Sequence, residues 1–251
     1  MAETRNRVGF LDEVRGFAII CMVVYHLMFD LKYFFGIDVP VFFDGWFDVI
    51  RDVFAGLFIF ISGIACNYSH NNLKRGTQCF FIGMSITFIT AFATPDSPDS
   101  FGILHCLGIC MLIYGLAEGF IKKVPSFIGI VVSVFLFLCT MNFRYGFVGI
   151  KNLFSFTLPG FLYNTNVLFP LGFPSSAYSS LDYFPLLPWM FLFFAGAFFG
   201  VYVKLDLMPR FFYKTRFRFF AASGKYSLWI YVLHQPVLYA ACCLIFGKSI
   251  F

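Results

Sequence analysis

The chain has 251 residues, of which 60% are hydrophobic and 12% charged. Soluble domains carry about 25% charged residues, so the composition excludes a water-soluble globular protein and indicates a multi-pass membrane protein. The formal charge of +5 is spread over connecting segments, so it reports topology and does not suggest a nucleic-acid partner.

Seven segments are apolar and long enough to cross a bilayer, roughly 17–35, 47–66, 78–94, 101–120, 125–141, 186–203 and 226–246. They predict an all-α polytopic membrane protein made of one integral-membrane domain over 1–251. Residues 153–173 are also apolar but are interrupted by Pro159, Gly160, Asn164, Asn166 and Pro170. That stretch reads as a broken or re-entrant segment, because free backbone at membrane depth must be buried in protein or face water.

The first span lies in LDEVRGFAIICMVVYHLMFDL. Arg15 and His26 are eleven residues apart, which on a helix returns to within about 20° of the same direction and rises about 16 Å. Asp30 follows His26 by about one turn, and Asp12 precedes Arg15 by about one turn. His26 therefore sits near mid-bilayer, where an ionisable group costs about 2.5–3.5 kcal/mol and is a functional-site candidate by default. The other reading is a polar pair that only holds the helices together.

The second span opens DGWFDVIRDVF. Asp48 and Asp52 share a helix face beside Arg51, either as interfacial charge or as an outward-facing polar vestibule. Gly56 and Gly63, and later Gly196 and Gly200, are small residues that permit close helix approach. His105 stands a turn or so inside the fourth span, as an anchor or as a site residue. The eight cysteines fall almost entirely in apolar spans without metal-ligand spacing and read as small apolar fillers.

Six basic residues, Lys204, Arg210, Lys214, Arg216, Arg218 and Lys225, stand among aromatic residues between the sixth and seventh spans. They form either a membrane-surface anchor or a docking surface for an anionic ligand. Acyl-coenzyme A would suit the second role, through its phosphates and a stackable adenine. The seventh span contains His234, Gln235 and Pro236. His234 is about 12 Å from the start of its span, a depth close to that of His26. It is either a packed histidine at a proline kink or part of a cavity shared with His26.

The order LDEVRGFAIICMVVYHLMFDL, GLFIFISGIA, FGILHCLGI, PWMFLFFAGAFFG and GKYSLWIYVLHQPVL resembles the bacterial branch of the heparan-alpha-glucosaminide N-acetyltransferase catalytic-domain family. That family lies within the wider transmembrane acyltransferase superfamily. The spacing from Arg15 to His26 is also similar to that of membrane acyltransferases that O-acetylate bacterial surface polysaccharides. The resemblance implies acetyl-CoA as a cytoplasmic acyl donor, with no metal. It also implies an extracytoplasmic glycan, or another hydroxyl or amine acceptor, and a place in the cytoplasmic membrane. The chain departs from the lysosomal members, which carry Asn at the position of His26 and a second catalytic His in the first non-cytoplasmic loop. Here that second role falls to Asp30, Asp44 or His105, or His26 works alone.

On this reading His26 is the general base and Asp30 orients it. His234 lines the same cavity and hydrogen-bonds the thioester carbonyl. Arg15, Arg216, Arg218 and Lys225 hold coenzyme A, while His105, Asp44, Asp48 and Asp52 lie toward the acceptor. The alternative is a proton-coupled small-molecule transporter or channel, since intramembrane His and Asp also suit a proton relay.

Charge alternates between loops. Arg5, Arg7 and Arg15 mark the N-terminal side, Asp38 and Asp44 the next loop, and Lys74 and Arg75 the one after. Asp96 and Asp99, then Lys122 and Lys123, continue the pattern. The positive-inside rule puts the N-terminus in the cytoplasm. A reporter fused after Phe251 is therefore expected to read as extracytoplasmic and one inserted near Asn71 as cytoplasmic. Both reporters on one side of the membrane would refute that count of spans.

Overall fold

A computed structural model of the chain describes residues 8–39, 45–95, 98–150, 153–180 and 182–247. Among them are eight α-helices: α1 (Gly9–Tyr33), α2 (Trp46–Cys66), α3 (Asn72–Ala93), α4 (Ile103–Ile121), α5 (Ser126–Thr140), α6 (Leu186–Lys204), α7 (Arg218–Lys225) and α8 (Ser227–Phe246). All but α7 are long and apolar enough to cross a membrane, α5 when counted through the turn to Tyr145. The chain is an all-α polytopic membrane protein.

Two helices begin earlier than their apolar runs. The first turns of α1 carry Asp12, Glu13 and Arg15, which an apolar-run criterion discards. They stay helical because Asp12 pairs with Arg15 at 3.1 Å and Glu13 is bonded to neighbouring backbone. Asn71 caps α3 by accepting the Lys74 N–H at 2.8 Å, a side-chain cap that sets the start of a helix. The basic segment between the sixth and seventh spans holds the short helix α7, which an apolar-run criterion does not detect.

The region 153–173 is broken, as expected, but it also contributes to a small hairpin. Strands β1 (Phe147–Ile150) and β2 (Phe154–Thr157) pair antiparallel, with Phe147 opposite Thr157 and Ile150 opposite Phe154. Short 3₁₀ turns follow at Gly160–Tyr163 and Phe169–Leu171.

The chain divides into two compact units. One comprises Met1–Phe58 with Met208–Phe251, the other Ile59–Leu207. In the first, α1 packs on α7 and α8. The α1–α7 contact is backbone on backbone, since a Cβ at Gly16 would lie 1.8 Å from the Phe220 carbonyl oxygen, and one at Gly224 1.9 Å from that of Asp12. Only glycine fits where two helices approach this closely. In the second unit α3 packs on α4, α5 on α6, and α4 on α6. The end of α2 meets α6 through the small residues expected there: a Cβ at Gly63 or at Gly196 would each lie 2.0 Å from a carbonyl oxygen, of Phe193 and Phe60 respectively. All eight cysteines are free, and all but Cys21 are buried.

Gly16→Ala is expected to lower the melting temperature in detergent, because the new methyl must displace backbone. Overpacking of this kind costs about 1–3 kcal/mol. Gly119→Ala, where nothing lies within 4 Å, is the control and should be neutral or stabilising. Equal melting temperatures for wild type and Gly16→Ala would contradict the α1–α7 contact.

Candidate active site

The residues that could do chemistry in the first unit come from two helices. On α1, His26 and Asp30 are four residues apart and lie on one face. On α8, His234 and Gln235 are adjacent, and the helix continues through Pro236. The His26 and His234 rings meet, with centroids 4.9 Å apart and planes at 60°. The similar depth of the two histidines in their spans thus corresponds to a direct contact.

The hydrogen bonds define how each ring is used. His234 Nδ1 lies 2.5 Å from the Tyr231 carbonyl oxygen. A carbonyl only accepts, so Nδ1 carries the hydrogen and Nε2 of the neutral ring holds the lone pair. A neutral His234 in this tautomer cannot donate from Nε2 to a thioester carbonyl. His26 makes no hydrogen bond to any described residue. Its ring meets the aromatic rings of His234 and Tyr25, the latter at 5.8 Å.

Asp30 is completely buried. Its Oδ1 accepts the Gln235 Nε2–H at 2.6 Å, so the carboxylate fixes α8 against α1 and is not hydrogen-bonded to His26. Asp30 Oδ2 and Gln235 Oε1 are also buried, and neither has a partner among the described residues. Both are acceptors, so the group that completes this site must bring N–H or O–H hydrogens. An apolar cleft of about 320 Å³ runs beside it, lined by Val23, Trp229, Leu233, His234 and Leu238 among others.

One residue before His26, the Tyr25 hydroxyl accepts from Arg51 Nη1 at 3.4 Å, and the Tyr25 ring stacks on Phe47 at 5.5 Å. Arg51 also holds Asp48 at 3.2 Å and Asp52 at 2.9 Å. These two carboxylates therefore surround a cation that reaches back toward His26. Asp44 lies outside the described residues.

Of the residues expected to hold coenzyme A, Arg15 is paired with Asp12. Arg216, Arg218 and Lys225 are exposed on or beside α7. The Arg216 guanidinium lies 5.7 Å over the Phe211 ring and the Lys225 ammonium 5.4 Å over Tyr226. The sequence reading missed Glu13. It is buried and accepts the backbone N–H groups of Arg216 and Phe217, the latter at 2.7 Å, which anchors the start of α7. Gln235 was also given no role. Its position beside His234 in an otherwise apolar run was the available signal.

His105 belongs to the second unit and is buried. Its Nδ1 accepts the Gly102 N–H at 3.2 Å, so Nε2 carries the hydrogen and donates to Thr87 Oγ1 at 3.3 Å. Thr87 in turn donates to the Asp99 carbonyl at 2.6 Å. Both ring nitrogens are engaged in holding the start of α4 against α3. Asp99 itself is buried in the connecting loop. Burial, and then the nearby Asp182 carboxylate, push its carboxyl up from an ordinary 3.8 to about 8.

The heparan-alpha-glucosaminide N-acetyltransferase catalytic family matches residues 7–236. The chain belongs to that family. No curated protein and no solved structure matches it. The family match makes this seven-span protein a transmembrane acetyltransferase by family. The matched range includes His26, Asp30, His234 and Gln235, so the paired histidines and their buried carboxylate lie within the family's catalytic region.

Asp99 sets a pH dependence of stability. Between about pH 4 and pH 8 the folded protein keeps the Asp99 proton while the unfolded chain releases it, so this contribution to stability is full below about pH 4 and is lost as pH rises to about 8. Asp99→Asn, neutral throughout, is expected to flatten the fall in melting temperature over that window and to be the more stable protein at pH 8. Parallel melting curves across pH would rule out a buried protonated Asp99.

Proposed function

We propose that the chain moves an acetyl group from cytoplasmic acetyl-CoA to a hydroxyl or amine acceptor on the extracytoplasmic side, such as a sugar of a cell-envelope glycan. On this reading it acts as one integral-membrane domain in the cytoplasmic membrane. The observation that carries the proposal is the His26–His234 contact beside a fully buried Asp30, within an acetyltransferase family.

His26 makes no hydrogen bond to described residues, which leaves its ring available as the general base. It takes the proton as the acceptor nitrogen or oxygen attacks the thioester carbonyl carbon. The carbon–sulfur bond breaks, and the coenzyme A thiolate recovers the proton from His26. His234 Nε2 acts as a hydrogen-bond acceptor that steadies the attacking group. This differs from a donor role toward the thioester, which its tautomer does not permit. Asp30 Oδ2 and Gln235 Oε1 receive the remaining hydrogens of the incoming group. Arg216, Arg218 and Lys225 face the donor's phosphates, with Arg15 held in place by Asp12. Asp48 and Asp52 with Arg51 form the charged rim toward the acceptor, and His105 serves to hold α4.

The test is coenzyme A release by the purified protein, together with calorimetric binding of acetyl-CoA. His26→Ala is expected to lower turnover on the order of 10²–10⁴-fold and to leave acetyl-CoA binding close to wild type. Asp30→Asn should lose less, since the amide keeps a partner for Gln235. Wild-type turnover in His26→Ala would refute the base assignment. No binding at millimolar acetyl-CoA would refute the acyltransferase reading itself.

A further inference from the structure

The apolar cleft beside the paired histidines, of about 320 Å³, is far larger than an acetyl group requires. Its lining is His234 with large apolar residues: Val23 from α1, and Trp229, Ile230, Leu233, Val237 and Leu238 from α8. We propose that this cleft holds the hydrocarbon chain of a longer acyl donor, so that the protein transfers medium-chain acyl groups from acyl-CoA as well as acetyl. The proposal rests on the acyltransferase reading and extends its donor.

The cleft borders the reacting pair. His234 is part of its wall, and the His234 ring meets that of His26 with centroids 4.9 Å apart. A chain lying in the cleft is therefore continuous with a thioester carbonyl placed at His26. The lined stretch of α8, from Trp229 to Leu238, is about 13 Å long by helical rise. An octanoyl chain fits within that length, whereas the methyl of an acetyl group leaves nearly all of it unused.

The wall decides between occupants. Trp229, Leu233 and Val237 recur every fourth residue on one face of α8, and they are 64%, 53% and 62% exposed. On a membrane-spanning helix that exposure is to lipid, so the cleft opens sideways into the bilayer. Its side-chain hydrogen-bonding groups are the His234 ring and the Trp229 indole N–H. These are too few for a sugar or for the amide-bearing arm of coenzyme A, whose polar groups would be stranded there. A hydrocarbon chain strands nothing.

The position of the cleft favours the donor over the acceptor. By the charge alternation of the loops, α8 enters the membrane from the cytoplasmic side, so Trp229, Ile230 and Leu233 lie between that side and His234. Asp30 stands one turn further out than His26, and its free oxygen with that of Gln235 suits the acceptor's hydrogens. In the transfer the acceptor nitrogen or oxygen bonds to the carbonyl carbon and the carbon–sulfur bond breaks. The acceptor's proton passes through His26 to the coenzyme A thiolate. The chain itself stays unchanged in the cleft until the product leaves.

The test compares acetyl-CoA with octanoyl-CoA on the full chain in phosphatidylcholine nanodiscs. It reads coenzyme A release and calorimetric binding, with empty nanodiscs as the blank. Octanoyl-CoA is expected to release coenzyme A and to bind at least about tenfold more tightly than acetyl-CoA, the equivalent of about two fully buried methylenes. Leu233→Trp and Val237→Trp fill the cleft from the lipid side. Each should remove that preference and leave acetyl-CoA turnover at the wild-type level, which also shows that the variant is folded. Release from acetyl-CoA with no preference for octanoyl-CoA would overturn the proposal and leave the acetyltransferase reading intact, the cleft then belonging to a bilayer lipid or to an acceptor's tail. A preference that survives both tryptophan variants would overturn it too, as would octanoyl-CoA that binds tightly but releases no coenzyme A. No release and no binding with either donor would refute the acyltransferase reading itself, and the longer donor with it.

Discussion

The hydrogen bond between Asp30 and Gln235 decides how α1 and α8 meet. Apolar helix faces in a membrane have no strong preference among registers, because lipid and leucine are equally apolar. A fully buried carboxylate has a strong preference, since stranding it would cost several kcal/mol. Gln235 answers Asp30 at 2.6 Å and thereby brings its chain neighbour His234 against His26. The contact between the two imidazoles is thus a consequence of a polar link beside them. Removing either partner would leave the other buried and unpaired, which is worse than never having had the pair.

The other end of the first unit is built by a different device. Gly16 and Gly224 let α1 and α7 touch through their backbones, and Glu13 caps the entry to α7 through two backbone N–H groups. Phe10 packs its ring against Phe211 and Phe212, with centroids 5.9 and 4.9 Å away. The acidic groups of this end are consumed in the process, Glu13 by backbone and Asp12 by Arg15. What is left facing outward is cationic: Arg216, Arg218 and Lys225. A short helix that looks in sequence like a charged loop therefore has an inner side of glycine and aromatic residues and an outer side of positive charge.

The spans were legible because length and apolarity are sufficient to define them, whereas the equal depth of His26 and His234 left open whether His234 was a packed histidine at a proline kink or part of a shared cavity. The limits of legibility have physical causes. Apolar runs cannot locate the start of α1, because charged residues are helical there once they are paired. They cannot find α7, whose eight residues are held by tertiary contact and not by an apolar run of their own. Helical spacing put Asp30 one turn from His26, but spacing does not say which way a carboxylate bonds, and the bond goes to α8. His105 looked equally suited to a site or to an anchor, and only the partners on its two ring nitrogens distinguish these roles. The antiparallel hairpin beside 153–173 rests on backbone pairing that the Pro and Gly pattern hides. Asp44 lies outside the described residues.

The first unit carries a chemical deficit beside its paired histidines. Beside His26 the unanswered buried groups are oxygens, Asp30 Oδ2 and Gln235 Oε1, and the His234 tautomer adds a nitrogen lone pair. That site is rich in acceptors and short of hydrogens. A bound amine or hydroxyl supplies what it lacks, and an incoming carbonyl or carboxylate does not. Burial enforces this preference, so on the proposed reading the deficit acts as a specificity filter before any chemistry occurs. A nucleophile that passes this filter would already be held by its hydrogens, with its lone pair free to attack once His26 takes the proton.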